Sequence, residues 1–164
     1  MLAIALAAAA LQPSLPATLE VERDAITDRV SAAAVVRAPE GRLVIGCDPE
    51  EYPGLRITVY STRGWFARPE FVSRSRRFTF RFDRARPVRL TWETERRTAW
   101  IESRRVTSAM ITRARAAQRL AIRAKDVEGR EMNFLFDMAG TRPLIDQAVG
   151  ICNGAFVPTS LPRA

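Results

Sequence analysis

Histidine is absent from this chain of 164 residues, and with it go the Ser-His-Asp and Cys-His nucleophile systems, His-ligated metal sites and the imidazole pH switch. Among the groups left to do chemistry are carboxylates, a single lysine and two cysteines. Carboxylates stand in pairs at Glu20/Glu22, Glu50/Glu51 and Glu93/Glu95, the residue types that a glycosidase-like acid and base require. Such work also needs a cleft and split pKa values, so solvated surface pairs are the plainer reading. Lys125 lies between Ala124 and Asp126 beside a turn, a place for a solvated ammonium rather than a Schiff base. No GxGxxG, P-loop, GxSxG, SxxK or HExxH occurs. The expectation is a protein that is not an enzyme, with no catalytic residue, cofactor or metal site to name.

The cysteines take their meaning from the leading segment. Met1 to Leu11 reads MLAIALAAAAL, followed by QPSLPA ending at Ala17; this is the apolar region and small-residue cleavage site of a secretory signal peptide. Its amino end carries no Lys or Arg, only the terminal amine. The run is too short to span a bilayer. An Ala-rich first helix of a cytosolic domain is the alternative, but Pro13 and Pro16 follow at once and no polar face exists. Residues 1–17 are therefore expected to be removed on export to the periplasm, leaving 18–27 as an N-terminal segment. An even cysteine count in an exported chain reads as a bridge. A Cys47–Cys152 link would close a loop of roughly 100 residues, worth up to about 4.7 kcal/mol in the chain-entropy model. A reactive or metal-binding thiol is the competing reading; no CxxC exists, and the apolar contexts LVIGC and AVGIC would raise the thiol pKa.

Charge is the other strong signal. There are 26 basic residues against 18 acidic, a net charge of +8, and every basic residue but Lys125 is arginine. Period-two alternation separates these arginines from the apolar set. Phe78, Phe80, Phe82, Leu90, Trp92, Leu120 and Ile122 are predicted to face inward, with Arg77, Arg81, Arg89, Arg119 and Arg123 outward. Clusters at Arg74-Arg76-Arg77, Arg84-Arg86, Arg96-Arg97 and Arg104-Arg105 would enlarge the field. Guanidinium pairs with phosphate or carboxylate in bidentate fashion. Two readings stand side by side: a solvated basic surface from compositional bias towards arginine, and a contact for an anionic partner. Aromatics at alternating strand positions are core residues, whereas Trp65, next to Gly64 in an Arg- and Pro-containing loop, is a candidate exposed anchor.

The elements that must position these side chains are mostly strands. Alternation and turn residues predict strands at 30–37, 42–47, 56–60, 77–83, 88–93 and 98–102, with 48–54 a loop and the 77–83 and 88–93 segments a hairpin. Between Val106 and Ala117 the period lengthens, and Val106, Met110, Ala114 and Ala117 share one helical face. Strands at 118–123 and 131–136 flank a turn at 126–129. A last helix follows N-cap Thr141, with Pro143 in its first turn and Leu144, Ile145, Ala148, Ile151 and Cys152 on one face. The fold class is mainly β with two short helices (α+β): an antiparallel β-sandwich-like domain over residues 28–152, one disulfide, a helix near the C-terminus and a flexible tail at 153–164.

Several segments in order carry a resemblance: RLVIGC at 42–47, FRFD at 80–83, Trp92, AQRLAIRA at 117–124 after a helix, and FLFDMAG at 134–140 leading into a helix that ends at Cys152. This pattern resembles the small exported accessory proteins associated with type VI secretion, and more loosely the invasion-associated locus B family. The resemblance implies a β-rich domain with a bridge between an early strand and the closing helix, and an accessory role in the envelope. The expected function is a non-catalytic periplasmic protein contacting an anionic polymer, a lipid headgroup or an envelope protein through its basic face, with peripheral membrane contact. A small carboxylate-dependent envelope hydrolase is the alternative from another class. A nucleic-acid binder, the usual owner of such charge, would require a chain that is not exported.

Overall fold

Apolar residues recurring at every second position specify strands with one buried face, and this pattern runs through most of the computed structural model, which describes residues 17–48, 52–68, 74–101 and 103–154. The leader to residue 16, Glu50, Glu51, Glu102 and the tail from 155 lie outside the described residues. In chain order the elements are β1 (Thr18–Arg23), β2 (Val30–Ala38), β3 (Gly41–Asp48), β4 (Tyr52–Ser61), β5 (Arg76–Phe82), β6 (Val88–Glu95), β7 (Thr98–Trp100), α1 (Arg104–Ala116), β8 (Arg119–Lys125), β9 (Glu131–Asp137) and α2 (Arg142–Cys152).

All neighbouring strands are antiparallel and form one nine-stranded sheet, ordered β1-β2-β3-β4-β7-β6-β5-β8-β9. The sheet folds over, bringing β9 against β2, so the two layers of the sandwich are the halves of a single hydrogen-bonded sheet. Two boundaries differ from the sequence reading. Residues 18–23, expected to precede the domain, pair with β2 and form an edge strand. The expected loop at 48–54 is partly strand, with β3 running through Asp48 and β4 starting at Tyr52. Pro53 is tolerated beside the register shift at Cys47/Asp48, where the ladder is already irregular.

The inner face joins both halves in one core. Leu43, Ile45, Ile57 and Val59 from the first half meet Phe78, Phe80, Phe134 and Phe136 from the second, all buried. Trp92 stacks on Phe80 and Phe78 at centroid distances of 4.8 and 5.3 Å. Phe66, from the crossing between β4 and β5, lies 5.3 Å from Phe78 and 6.1 Å from Phe134, spanning the inner face from β5 to β9. Small residues on β2, among them Ala32 and Ala34, leave room for α2, which packs on β2 and β3 through Ile145, Ala148 and Ile151. Gly46 has a packing role of its own: a Cβ there would collide with the Ala32 carbonyl and with Ala33.

Helix α1 starts at Ser103, whose hydroxyl accepts from the Val106 N–H at 3.5 Å. The cap of α2 departs from expectation. Thr141 occupies the N-cap position, but its hydroxyl donates to the Met138 carbonyl at 2.8 Å rather than accepting from the helix. The Cys47–Cys152 disulfide joins β3 to the last turn of α2, with a Cα–Cα distance of 5.7 Å across a sequence separation of 105.

Candidate functional site

Strand register decides where each predicted arginine points. Arg77, Thr79 and Arg81 alternate with buried Phe78, Phe80 and Phe82 on β5, so they share the outer face. Arg89 on β6 and Arg123 on β8 both pair with Thr79, from opposite sides. Arg119 lies further along β8, opposite Asp137. All five predicted arginines are exposed on one continuous outer face. Their strand neighbours keep them apart: Arg77 opposes Thr91, and Arg81 opposes Ala121. Among the described residues, Arg77, Arg81, Arg89 and Arg119 have no side-chain ion pair, whereas Arg123 Nε lies 3.0 Å from Asn133 Oδ1 and 3.4 Å from Glu131 Oε1. Beside them on the same face, opposite Ala121, sits Leu135, 61% exposed. Asp83 fixes the far end of this face, its carboxylate accepting from the Gln118 and Arg119 N–H groups at 3.0 and 2.8 Å.

Two parts of the predicted basic field lie elsewhere. Arg76 turns inward and its Nη1 donates to the Asp126 carbonyl at 3.3 Å. Trp65 is half-buried at the end of the sheet, with the Arg97 guanidinium 5.4 Å from its ring centroid and its carbonyl accepting from the Val127 N–H at 2.9 Å. It is a partly packed rim residue, and the neighbouring Phe66 is wholly buried.

The outer face of the first half has a different character. Arg37 donates to Glu20 Oε1 at 2.7 Å and to Thr18 Oγ1 at 2.8 Å. The Arg42 guanidinium stacks 4.3 Å from the Tyr60 centroid, and that of Arg56 lies 5.3 Å from the Trp100 centroid. Glu20 and Glu22 sit side by side on β1, lining a shallow groove of about 200 Å³ floored by Ala33, Val44 and Gly46.

A larger cavity of about 420 Å³ opens between the β2–β3 turn and the β8–β9 turn, lined by Glu40, Arg63, Met132, Asn133, Phe134 and Asp126, among others. Asp126, only 3% exposed, went unassigned in the sequence, where it reads as an ordinary turn residue. Its carboxylate accepts from the Glu128 N–H at 2.8 Å, the Arg130 N–H at 2.9 Å and Arg130 Nε at 2.8 Å. Burial pushes its pKa up, but hydrogen bonds from the Arg130 side chain and backbone and from Glu128 outweigh that, holding it below its ordinary 3.8. The Arg130 pKa rises correspondingly. The carboxylate is consumed in clamping the turn.

Among the described residues no group of three or more His, Cys, Asp or Glu side chains is placed to hold a metal ion, and no helix is long and apolar enough to cross a membrane. Comparison with known proteins finds no matching family model, no matching curated protein and no matching solved structure.

Proposed function

We propose that this protein is a non-catalytic accessory protein of the cell envelope, exported to the periplasm, which contacts an anionic envelope component or an acidic partner protein through the outer face of β6, β5 and β8. The observation that carries this reading is that Arg77, Arg81, Arg89 and Arg119 share one exposed face without a carboxylate partner among the described residues. A surface of one sign concentrates counter-charged partners. The apolar leader and the bridged cysteines support export, and the resemblance of the motif order to that of type VI secretion accessory proteins supports an accessory role. The carboxylate-dependent hydrolase has weaker support, because Glu20 is already bound by Arg37 and shares one strand edge with Glu22.

The test combines location with charge reversal. The exported chain is expected to begin at Thr18 in the periplasmic fraction, oxidised, and to bind phosphatidylglycerol vesicles and the envelope fraction in a salt-sensitive way. The triple variant R81E/R89E/R123E is expected to bind more than tenfold more weakly, since each basic residue near an anionic surface contributes about 1 kcal/mol. R37E, on the opposite half of the sheet, is expected to leave vesicle binding unchanged. Equal binding by the triple variant and the unaltered protein excludes this face as the contact.

A further inference from the structure

The four arginines nearest Thr79 are arranged as a diamond, not as a random scatter. Arg89 and Arg123 stand directly across from Thr79 on the two neighbouring strands, about 4.8 Å away at the backbone. Arg77 and Arg81 stand two residues before and after it on its own strand, roughly 6.7 Å away. All four arginines are exposed and Thr79 is half-buried, so a short hydroxyl lies at the floor of a ring of long cationic side chains. Arginine reach is greater than either spacing, and four guanidinium groups can close over one small group seated on that hydroxyl.

From this arrangement we infer that Arg77, Arg81, Arg89 and Arg123 form a seat for a single phosphomonoester carried by a membrane lipid, with the Thr79 hydroxyl donating to it from below. The inference rests on the basic-face reading above and specifies its ligand. A phosphomonoester near neutral pH carries close to two negative charges and three terminal acceptor oxygens, enough to engage several guanidinium groups in bidentate fashion. A phosphodiester offers one charge and two such oxygens, and leaves part of the ring unmatched. The lipid source follows from the shape of the face. Sites for free small ligands are concave and enclosing, whereas this seat is an open sheet surface that a plane of headgroups can cover. Leu135, 61% exposed and paired with Ala121, which in turn pairs with Arg81 on its other side, supplies an apolar shoulder at the edge of the seat.

The experiment uses the full exported chain and three vesicle types: phosphatidylcholine alone, with phosphatidic acid (a monoester), and with phosphatidylglycerol (a diester), the last two matched in surface charge. Binding to the monoester vesicles is expected to be about tenfold tighter than to the diester vesicles. T79V keeps the β-branched shape of the strand residue and removes the hydroxyl; it is expected to lower monoester binding roughly threefold to tenfold and leave diester binding as it was. R89Q is expected to bring monoester binding down towards the diester level. Equal affinity for the two charged vesicles, with T79V neutral, overturns the seat while leaving the basic-face reading intact. Absence of binding to either charged vesicle overturns the seat together with the lipid arm of the basic-face reading, and leaves the acidic-protein arm to the envelope-fraction assay. Free inorganic phosphate competing as strongly as the monoester lipid overturns the membrane source.

Discussion

The two outer faces of this sheet carry the same residue type in two different states. On the β1–β4 and β7 half, Arg37 is held by Glu20 and Thr18, Arg42 by the Tyr60 ring and Arg56 by the Trp100 ring. On the β6, β5 and β8 half, the positions across from Arg77, Arg81 and Arg89 are Thr91, Ala121 and Thr79, which neither neutralise nor cover a guanidinium; only at the margin with β9 do Arg119, opposite Asp137, and Arg123, held by Asn133 and Glu131, have polar neighbours. A compositional preference for arginine accounts for the number of cations and not for this difference in company. Cross-strand neighbours are the unit of interaction in a sheet, and like charges set directly opposite one another destabilise it. The open face avoids direct opposition by placing small or hydroxylated residues between its arginines, so the charge is kept without like-charged cross-strand pairs.

The largest expected effect tests whether the two halves are mechanically independent. The disulfide ties β3 to α2, in the half whose arginines are occupied. Replacing both cysteines by serine, or reducing the bridge, is expected to cost up to about 4.7 kcal/mol of unfolding free energy, read from urea denaturation. Anionic-vesicle binding by the fraction still folded is expected to stay unchanged, because no residue of the arginine diamond belongs to β3 or α2. A parallel fall in affinity while the protein remains folded would join the two faces into one unit and break the comparison.

Much of this arrangement was legible in the amino-acid sequence, for a reason that also explains what was not. The alternation in β5, β6 and β8 is strict, so Phe78, Phe80 and Trp92 go in and Arg77, Arg81 and Arg89 go out whatever the topology. The pairing of Cys47 with Cys152 was legible from their number together with the expectation of export. Three things needed the third dimension. β1, six residues in the segment read as preceding the domain, is made a strand by its pairing with β2. Arg76 resembles Arg77 in sequence but falls on the inward phase of the same strand and reaches the Asp126 carbonyl. Thr79 has no distinction of its own, because its position between Arg89 and Arg123 depends on register with two strands distant in the chain.

Asp126 provides a second, intermediate effect confined to the open half. Its carboxylate, held below its ordinary pKa of 3.8, closes the β8–β9 turn through Arg130 and Glu128. A carboxyl with a depressed folded pKa contributes stability that is fully present above its unfolded pKa and is lost as pH falls through the folded value. D126N is expected to lower stability at pH 7 by about 2 kcal/mol, the scale of charged hydrogen bonds lost in a buried place. The gap between variant and unaltered protein should narrow as the pH is taken well below 3.8. A gap that stays constant down to strong acid would show that the ionised carboxylate is not what holds the turn. Hydrogen exchange should localise the loosening to β8 and β9 and leave β1 to β4 protected, which sharpens the contrast between the halves.

The smallest effect has the opposite sign and is the most discriminating. Glu131 is the acidic side chain that reaches into the arginine diamond, its Oε1 3.4 Å from Arg123 Nε, and both side chains are about half exposed. An ion pair of this kind contributes only about 0.2–1 kcal/mol, so E131Q should scarcely alter stability. It removes a carboxylate that competes with any anionic ligand for Arg123, and vesicle affinity is expected to rise by up to about fivefold. E20Q makes the same chemical change on the occupied face, where it frees Arg37 far from the diamond, and should leave affinity unchanged. If the faces differ only in total charge, the two substitutions would strengthen binding equally, since each raises the net charge of the molecule by one unit. An increase for E131Q alone places the attraction in the arrangement around Thr79.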